Sequence, residues 1–309
     1  MSNHNPPAEY IRLTQAIRSA VDELSHPQSY QAVYHYSRHD TPMPSSEELH
    51  HLMNRLKSTM FPGYFGHSEV TPDNISYYMG SSIDQIARIL MEQIKRGYCF
   101  SCIDEDRPDC IRCENRATEV TTCFISELPH IRQLLATDVN AAYLGDPASQ
   151  SPGETIFCYP SLRAMLHYRI AHSLFSLQVP LIPRILTEMA HSETGIDIHP
   201  GATIDEGLFI DHGTGTVIGE TCIIGKNVRI YQGVTLGAKS FPLSPDGHPI
   251  KGIPRHPIVE DNVTIYSGAT ILGRITIGQG AVIGGNVWIT QDIPPGAKIL
   301  KSQGSLPIS

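Results

Sequence analysis

The sequence predicts an α+β chain, with an α-helical domain over residues 1–190 followed over residues 191–309 by a left-handed parallel β-helix of hexapeptide repeats. Two observations carry this reading. Before residue 190 the apolar residues recur at helical spacing, and from about Ile196 the period changes to six.

The helical half announces its elements in order. Ser45-Ser46-Glu47-Glu48 has capping-box spacing, and Leu49, Leu52, Met53 and Leu56 follow at i, i+3, i+4, i+7. Ile83, Ile86, Ala87, Leu90 and Ile94 form a second stripe, which Gly97 is expected to close as a C-terminal cap. A third helix starts at Pro160, with Leu162, Met165 and Leu166 on one side. Pro42-Met43-Pro44 and the stretch Asp146–Gly153 read as connections between helices.

In the second half Ile265, Ile271, Ile277, Ile283 and Ile289 recur every six residues, and Val263, Ala269, Ile275, Ala281, Val287 and Ile293 form a second series two positions earlier. Upstream, Ile218, Ile224, Ile230 and Leu236 keep the same period, as do Ile198, Ile204 and Ile210. A period of six fits neither an α-helix nor a simple strand. It is the signature of a solenoid in which each hexapeptide gives one short strand and a turn, and three strands close one coil. The aliphatic points inward, the small residue shares the interior, and Gly or Asn eases the corner.

Composition narrows the function. Lys+Arg 23 against Asp+Glu 31 gives a net charge of −8, and no Lys/Arg run offers the basic face that sequence-independent nucleic-acid binding needs. No apolar stretch approaches the roughly 20 residues of a membrane span. Met1 to Pro7 lacks the segments of a secretion signal, so a cytoplasmic protein is expected. Seven cysteines, an odd number, argue against a disulfide framework.

Candidate chemistry lies where the repeat breaks. The aliphatic series steps from Ile210 to Ile218, eight residues instead of six, across Asp211-His212-Gly213-Thr214-Gly215-Thr216. A second break separates Leu236 from Val259 and contains an extruded loop, residues 239–255, that returns through Arg255-His256-Pro257. Two histidines at two breaks, with Asp and Arg beside them, suggest acid–base chemistry near an anionic group. Asp197 precedes His212 by 15 residues and could meet it from a neighbouring rung, fixing the imidazole tautomer.

A separate motif stands in the helical half. Cys99-Phe100-Ser101-Cys102 and Cys110-Ile111-Arg112-Cys113 are two C-x-x-C pairs seven residues apart, a spacing that supplies four thiolates for a tetrahedral site. A structural zinc is expected there, and an iron–sulfur cluster would use the same ligands. Cys123, Cys158 and Cys222 are expected to be ordinary core residues.

From about Leu135 to Ala297 the chain resembles the serine O-acetyltransferases. The resemblance rests on Asp197-Ile198-His199-Pro200, Asp211-His212-Gly213-Thr214-Gly215, Val217-Ile218-Gly219-Glu220-Thr221, Gly233-Val234-Thr235-Leu236-Gly237, Arg255-His256-Pro257 and Tyr168-Arg169-Ile170-Ala171-His172. It implies acetyl transfer from acetyl-CoA to the hydroxyl of L-serine, with His212 as general base and Asp197 orienting it. It also implies that Asp146 and Asp211 hold the serine ammonium, that Arg255 binds the carboxylate and that His256 lines the pocket. Acetyl-CoA would lie between adjacent subunits against Thr235, Gly237, Ala238, Ser267 and Gly285. A homotrimer or a dimer of trimers follows from the resemblance, with L-cysteine as feedback inhibitor. The family's terminal Ile, which inserts into O-acetylserine sulfhydrylase, is replaced here by Ser309, so no such complex is expected. Three other readings use the same coil: transfer to another hydroxyl acceptor such as homoserine or a sugar, a γ-class carbonic anhydrase with zinc on His199, His212 and His256, and a non-catalytic coil serving only as a trimeric platform.

Overall fold

The computed structural model describes residues 8–35, 41–66, 69–102 and 111–300. Eight helices come first: α1 (Ala8–Leu24), α2 (Pro27–Tyr30), α3 (Ser46–Met60), α4 (Ile75–Ser101), α5 (Ile111–Gly145), α6 (Pro152–Cys158), α7 (Pro160–Ser176) and α8 (Ile182–Thr194). Among the described residues, none is long and apolar enough to cross a membrane. Ser45 caps α3 as its spacing predicts, its side chain accepting from the Glu48 N–H. Leu49, Leu52, Met53 and Leu56 are all buried, against a core that includes Ile86, Leu90 and Ile94 of α4 and Phe124 and Leu128 of α5.

Gly97 does not end its helix, because α4 runs on to Ser101. A Cβ at Gly97 would stand 3.0 Å from the Pro180 carbonyl oxygen and 3.5 Å from Ile182, so the glycine serves a close approach by the segment entering α8. The helical part continues to Thr194, four residues past the expected boundary. It ends at Gly195, whose φ of 71° makes the left-handed turn into the coil.

Fourteen strands of two or three residues then build the coil. The first seven are β1 (Asp197–Ile198), β2 (Thr203–Ile204), β3 (Phe209–Asp211), β4 (Val217–Ile218), β5 (Ile223–Ile224), β6 (Arg229–Tyr231) and β7 (Thr235–Gly237). After the extruded loop come β8 (Ile258–Val259), β9 (Thr264–Ile265), β10 (Thr270–Leu272), β11 (Thr276–Ile277), β12 (Val282–Ile283), β13 (Trp288–Ile289) and β14 (Lys298–Ile299). They stack in parallel into three faces, β1-β4-β7-β10-β13, β2-β5-β8-β11 and β3-β6-β9-β12-β14. This is the left-handed β-helix that the six-residue period predicts. On the first face Ile198, Ile218, Leu236, Ile271 and Ile289 lie in register and point inward. Asn227, Asn262 and Asn286 take the corners with φ of 54–59°, a region that Asn enters at low cost.

One buried ion pair seats the helices on the coil. Arg169 of α7 donates to Asp138 of α5 through Nε (2.6 Å) and Nη2 (2.7 Å), and both side chains are nearly inaccessible to solvent. The guanidinium also donates to the carbonyl oxygens of Ile204 (3.3 Å) and Asp205 (2.9 Å), and Asp138 accepts from the Leu208 N–H (3.2 Å). Tyr168 adds a bond to the Ala202 carbonyl at 2.6 Å. Arg169→Met leaves a buried carboxylate without its counter-charge, so it should cost about 3–5 kcal/mol, seen as a lower urea midpoint by circular dichroism. Arg169→Lys should recover only part of this, because an ammonium cannot reproduce the fork.

Candidate active site

The first break in the repeat is a bulge at the corner between β3 and β4. His212 holds φ at 57°, and Gly213 follows at 84°. A Cβ on Gly213 would come within 2.5 Å of the Ile196 side chain, so only glycine passes there. Two successive left-handed residues turn the imidazole outward, and its side chain is 72% exposed in the single chain. A non-glycine residue held at positive φ carries backbone strain, and such strain collects at functional positions. His212 Nδ1 lies 3.8 Å from Asp211 Oδ1, beyond hydrogen-bond length.

Asp146 stands next to this corner, on the turn that follows α5. Its Oδ1 accepts from the Ala148 N–H at 2.8 Å, and its Oδ2 accepts from the Tyr159 hydroxyl at 2.5 Å. The Tyr159 bond first, then the Ala148 N–H and the nearby charge of His212, hold this carboxyl below the usual carboxylate range.

The second break delivers a different group to the corner between β4 and β5. Thr221 organises it. Its Oγ1 accepts from the backbone N–H of Arg255 (2.9 Å) and of His256 (3.1 Å), and its own N–H and hydroxyl reach His256 Nδ1 at 3.1 and 2.9 Å. His256 is buried, and burial together with the Arg255 charge pushes its pKa down to about 4. It is therefore neutral near pH 7, and with Nδ1 accepting, Nε2 carries the proton and can donate. Arg255 Nη2 pairs with Glu220 at 2.6 Å. His199 shares this corner, its pKa lowered by burial and by Arg184, and its Nδ1 accepts from the Gly201 N–H at 3.0 Å.

These two groups flank opposite edges of the first face. Six residues of strand and corner span at most about 20 Å at roughly 3.3 Å per residue, which bounds the distance between the two edges. Among the described residues no contact joins Asp146, Asp211 or His212 to Arg255 or His256, nor do His199, His212 and His256 form a metal-binding group. Asp197 points outward on the face between them. Its carboxylate lies within 4.8 Å of ligand atoms of Glu188 and His191, and no hydrogen bond joins it to His212. The small residues expected along acetyl-CoA divide in the same way. Thr235, Gly237 and Ala238 lie on or beside β7, whereas Ser267 and Gly285 occupy later corners on the His212 edge, where Gly285 approaches the Ser267 carbonyl.

Several residues had no signal of their own in the sequence. Tyr159 lies 13 positions from Asp146, with nothing local to link them. Tyr231 and Tyr266 stack at 5.1 Å one and two rungs below Asp211, and Trp288 is widely exposed on the first face. Glu220 and Thr221 do belong to a recognised motif, but their partners are visible only in three dimensions.

The cysteine motif is less complete. Cys110 lies outside the described residues. Cys99 is buried near the end of α4, Cys102 follows that helix, and Cys113 is buried in the first turn of α5. Among the described residues these sulfurs do not form a group of three ligand atoms within 4.8 Å; only Glu188, His191 and Asp197 do. Cys222 is buried as expected, whereas Cys123 and Cys158 are exposed, because their helix positions face away from the core.

Comparison with known proteins identifies the family. Residues 256–291 match the family model "Bacterial transferase hexapeptide (six repeats)", and residues 215–241 match "Hexapeptide repeat of succinyl-transferase". A plasmid-borne serine acetyltransferase of Synechococcus elongatus is 48% identical over 296 residues, which cover 95% of this chain and 93% of the relative. The chain belongs to the serine acetyltransferase family. The Mycobacterium tuberculosis serine acetyltransferase is 43% identical, but over only 55% of this chain and 70% of its own length. Among solved structures, serine acetyltransferase isoform 3 of Entamoeba histolytica, in complex with cysteine, matches with a TM-score of 0.71 and 34% identity, covering 91% of both chains. The soybean enzyme complexed with serine matches with a TM-score of 0.53 and 28% identity over 84% of this chain and 98% of its own. Family membership replaces the carbonic anhydrase reading, and the activity is O-acetyl transfer from acetyl-CoA.

The His256 ring rests directly on Gly219, where a Cβ would stand 2.1 Å from the ring Cδ2. Gly219→Ala should therefore displace the ring and lower kcat/KM for serine by at least about tenfold, while circular dichroism shows the coil intact.

Proposed function

We propose that the chain acetylates the hydroxyl of L-serine at a site shared by two copies of itself. The supporting observation is the division of the site residues between opposite edges of one coil face. The His212 corner of one chain, set beside the Arg255 corner of its neighbour, brings the two halves together. A homotrimer closes such a head-to-tail contact, and the helical domains could join two trimers.

The assigned roles suit a zwitterion. Asp146 and Asp211 receive the ammonium, Arg255 takes the carboxylate with donors left over from Glu220, and His256 donates from Nε2. His212 removes the proton from the serine hydroxyl as its oxygen attacks the thioester carbonyl. The tetrahedral adduct then expels CoA, and the thiolate takes the proton from the imidazolium. Asp197 lies on the face between the two edges; because no hydrogen bond joins it to His212 in the single chain, its proposed role in orienting the base requires the imidazole to turn towards that face. Cysteine carries the same ammonium and carboxylate as serine, so it should compete for this site, as the cysteine complexes of relatives suggest. Reduced thiols and an acetyl-CoA substrate suit a cytoplasmic enzyme.

The test is CoA release, followed with a thiol reagent, from acetyl-CoA and a panel of acceptors. Release with L-serine alone supports the reading, whereas release with homoserine or a sugar overturns it. His212→Ala should lower kcat by roughly 10²–10⁴ with the assembly intact. Mixed trimers of His212→Ala and Arg255→Ala chains should regain about a quarter of the wild-type sites, because a site shared between copies is whole only where the two intact halves meet. No recovery in co-assembled chains would place the whole site in one chain.

The two C-x-x-C pairs support a second proposal, a structural metal at the α4–α5 junction. Cys99, Cys102 and Cys113 sit at the ends of two helices that pack on each other, and binding a metal requires their sulfurs, which do not form a ligand group in the single chain, to be drawn together. Protein purified without air should carry about one zinc or one cluster per chain, lost in Cys102→Ser/Cys113→Ser. Four titratable thiols without metal would overturn it.

A further inference from the structure

We infer that Tyr159 is a positioning residue for serine, its hydroxyl holding the Asp146 carboxylate in the orientation that receives the substrate ammonium. This rests on the assignment of Asp146 to ammonium binding. Asp146 sits on a short turn beyond the end of α5, where a free carboxylate would rotate among several orientations. The Ala148 N–H restrains one oxygen, but it belongs to the same turn and moves with it. Among the described residues, the Tyr159 bond at 2.5 Å is the hydrogen bond that ties the carboxylate to another element.

That element is firmly placed. Tyr159 is the residue between α6 and α7, in extended conformation (φ −81°, ψ 123°), with Pro160 opening α7 behind it. Nine and ten residues further on, Tyr168 and Arg169 fasten the same helix to the coil that carries His212. The phenol thus transmits the position of the coil to a carboxylate on a loop. With one donor on each oxygen, Asp146 keeps further lone pairs for an ammonium.

The electrostatics agree with this one-way bond. Burial and the Asp146 charge push the Tyr159 hydroxyl up to about 12, so it remains a donor wherever the enzyme works. In return its bond is the first cause of the lowered Asp146 pKa, which keeps the carboxylate charged as pH falls. Removing the hydroxyl therefore raises the pKa of Asp146, and the carboxylate protonates at a higher pH than in the wild type.

Tyr159→Phe removes one oxygen and keeps the ring. In the full-length enzyme it should raise the KM for L-serine and the inhibition constant of L-cysteine together by about tenfold, the usual scale for a hydrogen bond to a charged group. The kcat and the KM for acetyl-CoA should stay within about twofold, and the melting temperature should hold. An unchanged serine KM would overturn the proposal. So would a loss shared equally by kcat, acetyl-CoA binding and melting temperature, which marks a structural role only. Asp146→Asn separates this proposal from the reading beneath it. If Asp146→Asn leaves the serine KM unchanged, the ammonium assignment itself fails; if it raises the KM while Tyr159→Phe does not, only the role of Tyr159 fails.

Discussion

The fork between Arg169 and Asp138 fixes where everything else can stand. It lies in the seam between α5, α7 and the coil, where the backbone of Ile204, Asp205 and Leu208 presents polar groups that no strand uses. Burial pushes Asp138 upward, while the guanidinium and the Leu208 N–H pull it back. A buried pair of this kind contributes little net stability relative to apolar side chains, but it tolerates few alternative geometries. Its consequence is positional. With α5 and α7 held at this corner, the turn after α5 brings Asp146 to His212, and the start of α7 brings Tyr159 to Asp146.

The coil imposes a second constraint. A three-sided prism with a packed interior has no cavity of its own, so chemistry must sit on corners and outer faces. Here two different corners are specialised, and the flat face between them keeps them apart. His212 pays for its outward aim in backbone strain, and glycines beside both histidines leave room for it: Gly213 against Ile196, and Gly219 under the His256 ring. A single chain thus carries carboxylates at one edge of this face and a guanidinium at the other.

Much of this was legible in the residues themselves. The six-residue period reports strands directly, since an inward side chain must recur once per strand of a closed coil. The Ser45 cap reads equally well, because its partner Glu48 is three residues away. Local rules failed where a distant contact decided the outcome. Gly97 has the form of a helix cap, yet α4 continues, because the helix is stabilised by its packing and the glycine answers to Pro180. Cys123 and Cys158 look apolar by residue type, but the faces that they occupy are turned to solvent.

By itself, then, the sequence determined the coil and its two interruptions, because these follow from periodicity and from motifs a few residues long. Only the tertiary structure decided that Asp197 lies beside Glu188 and His191 and makes no hydrogen bond to His212, that Thr221 sets the tautomer of His256, and that Tyr159 reaches Asp146. Each of those contacts joins segments whose separation along the chain carries no periodic signal. They form because the seam at Arg169 and the stacking of the rungs bring fixed surfaces together.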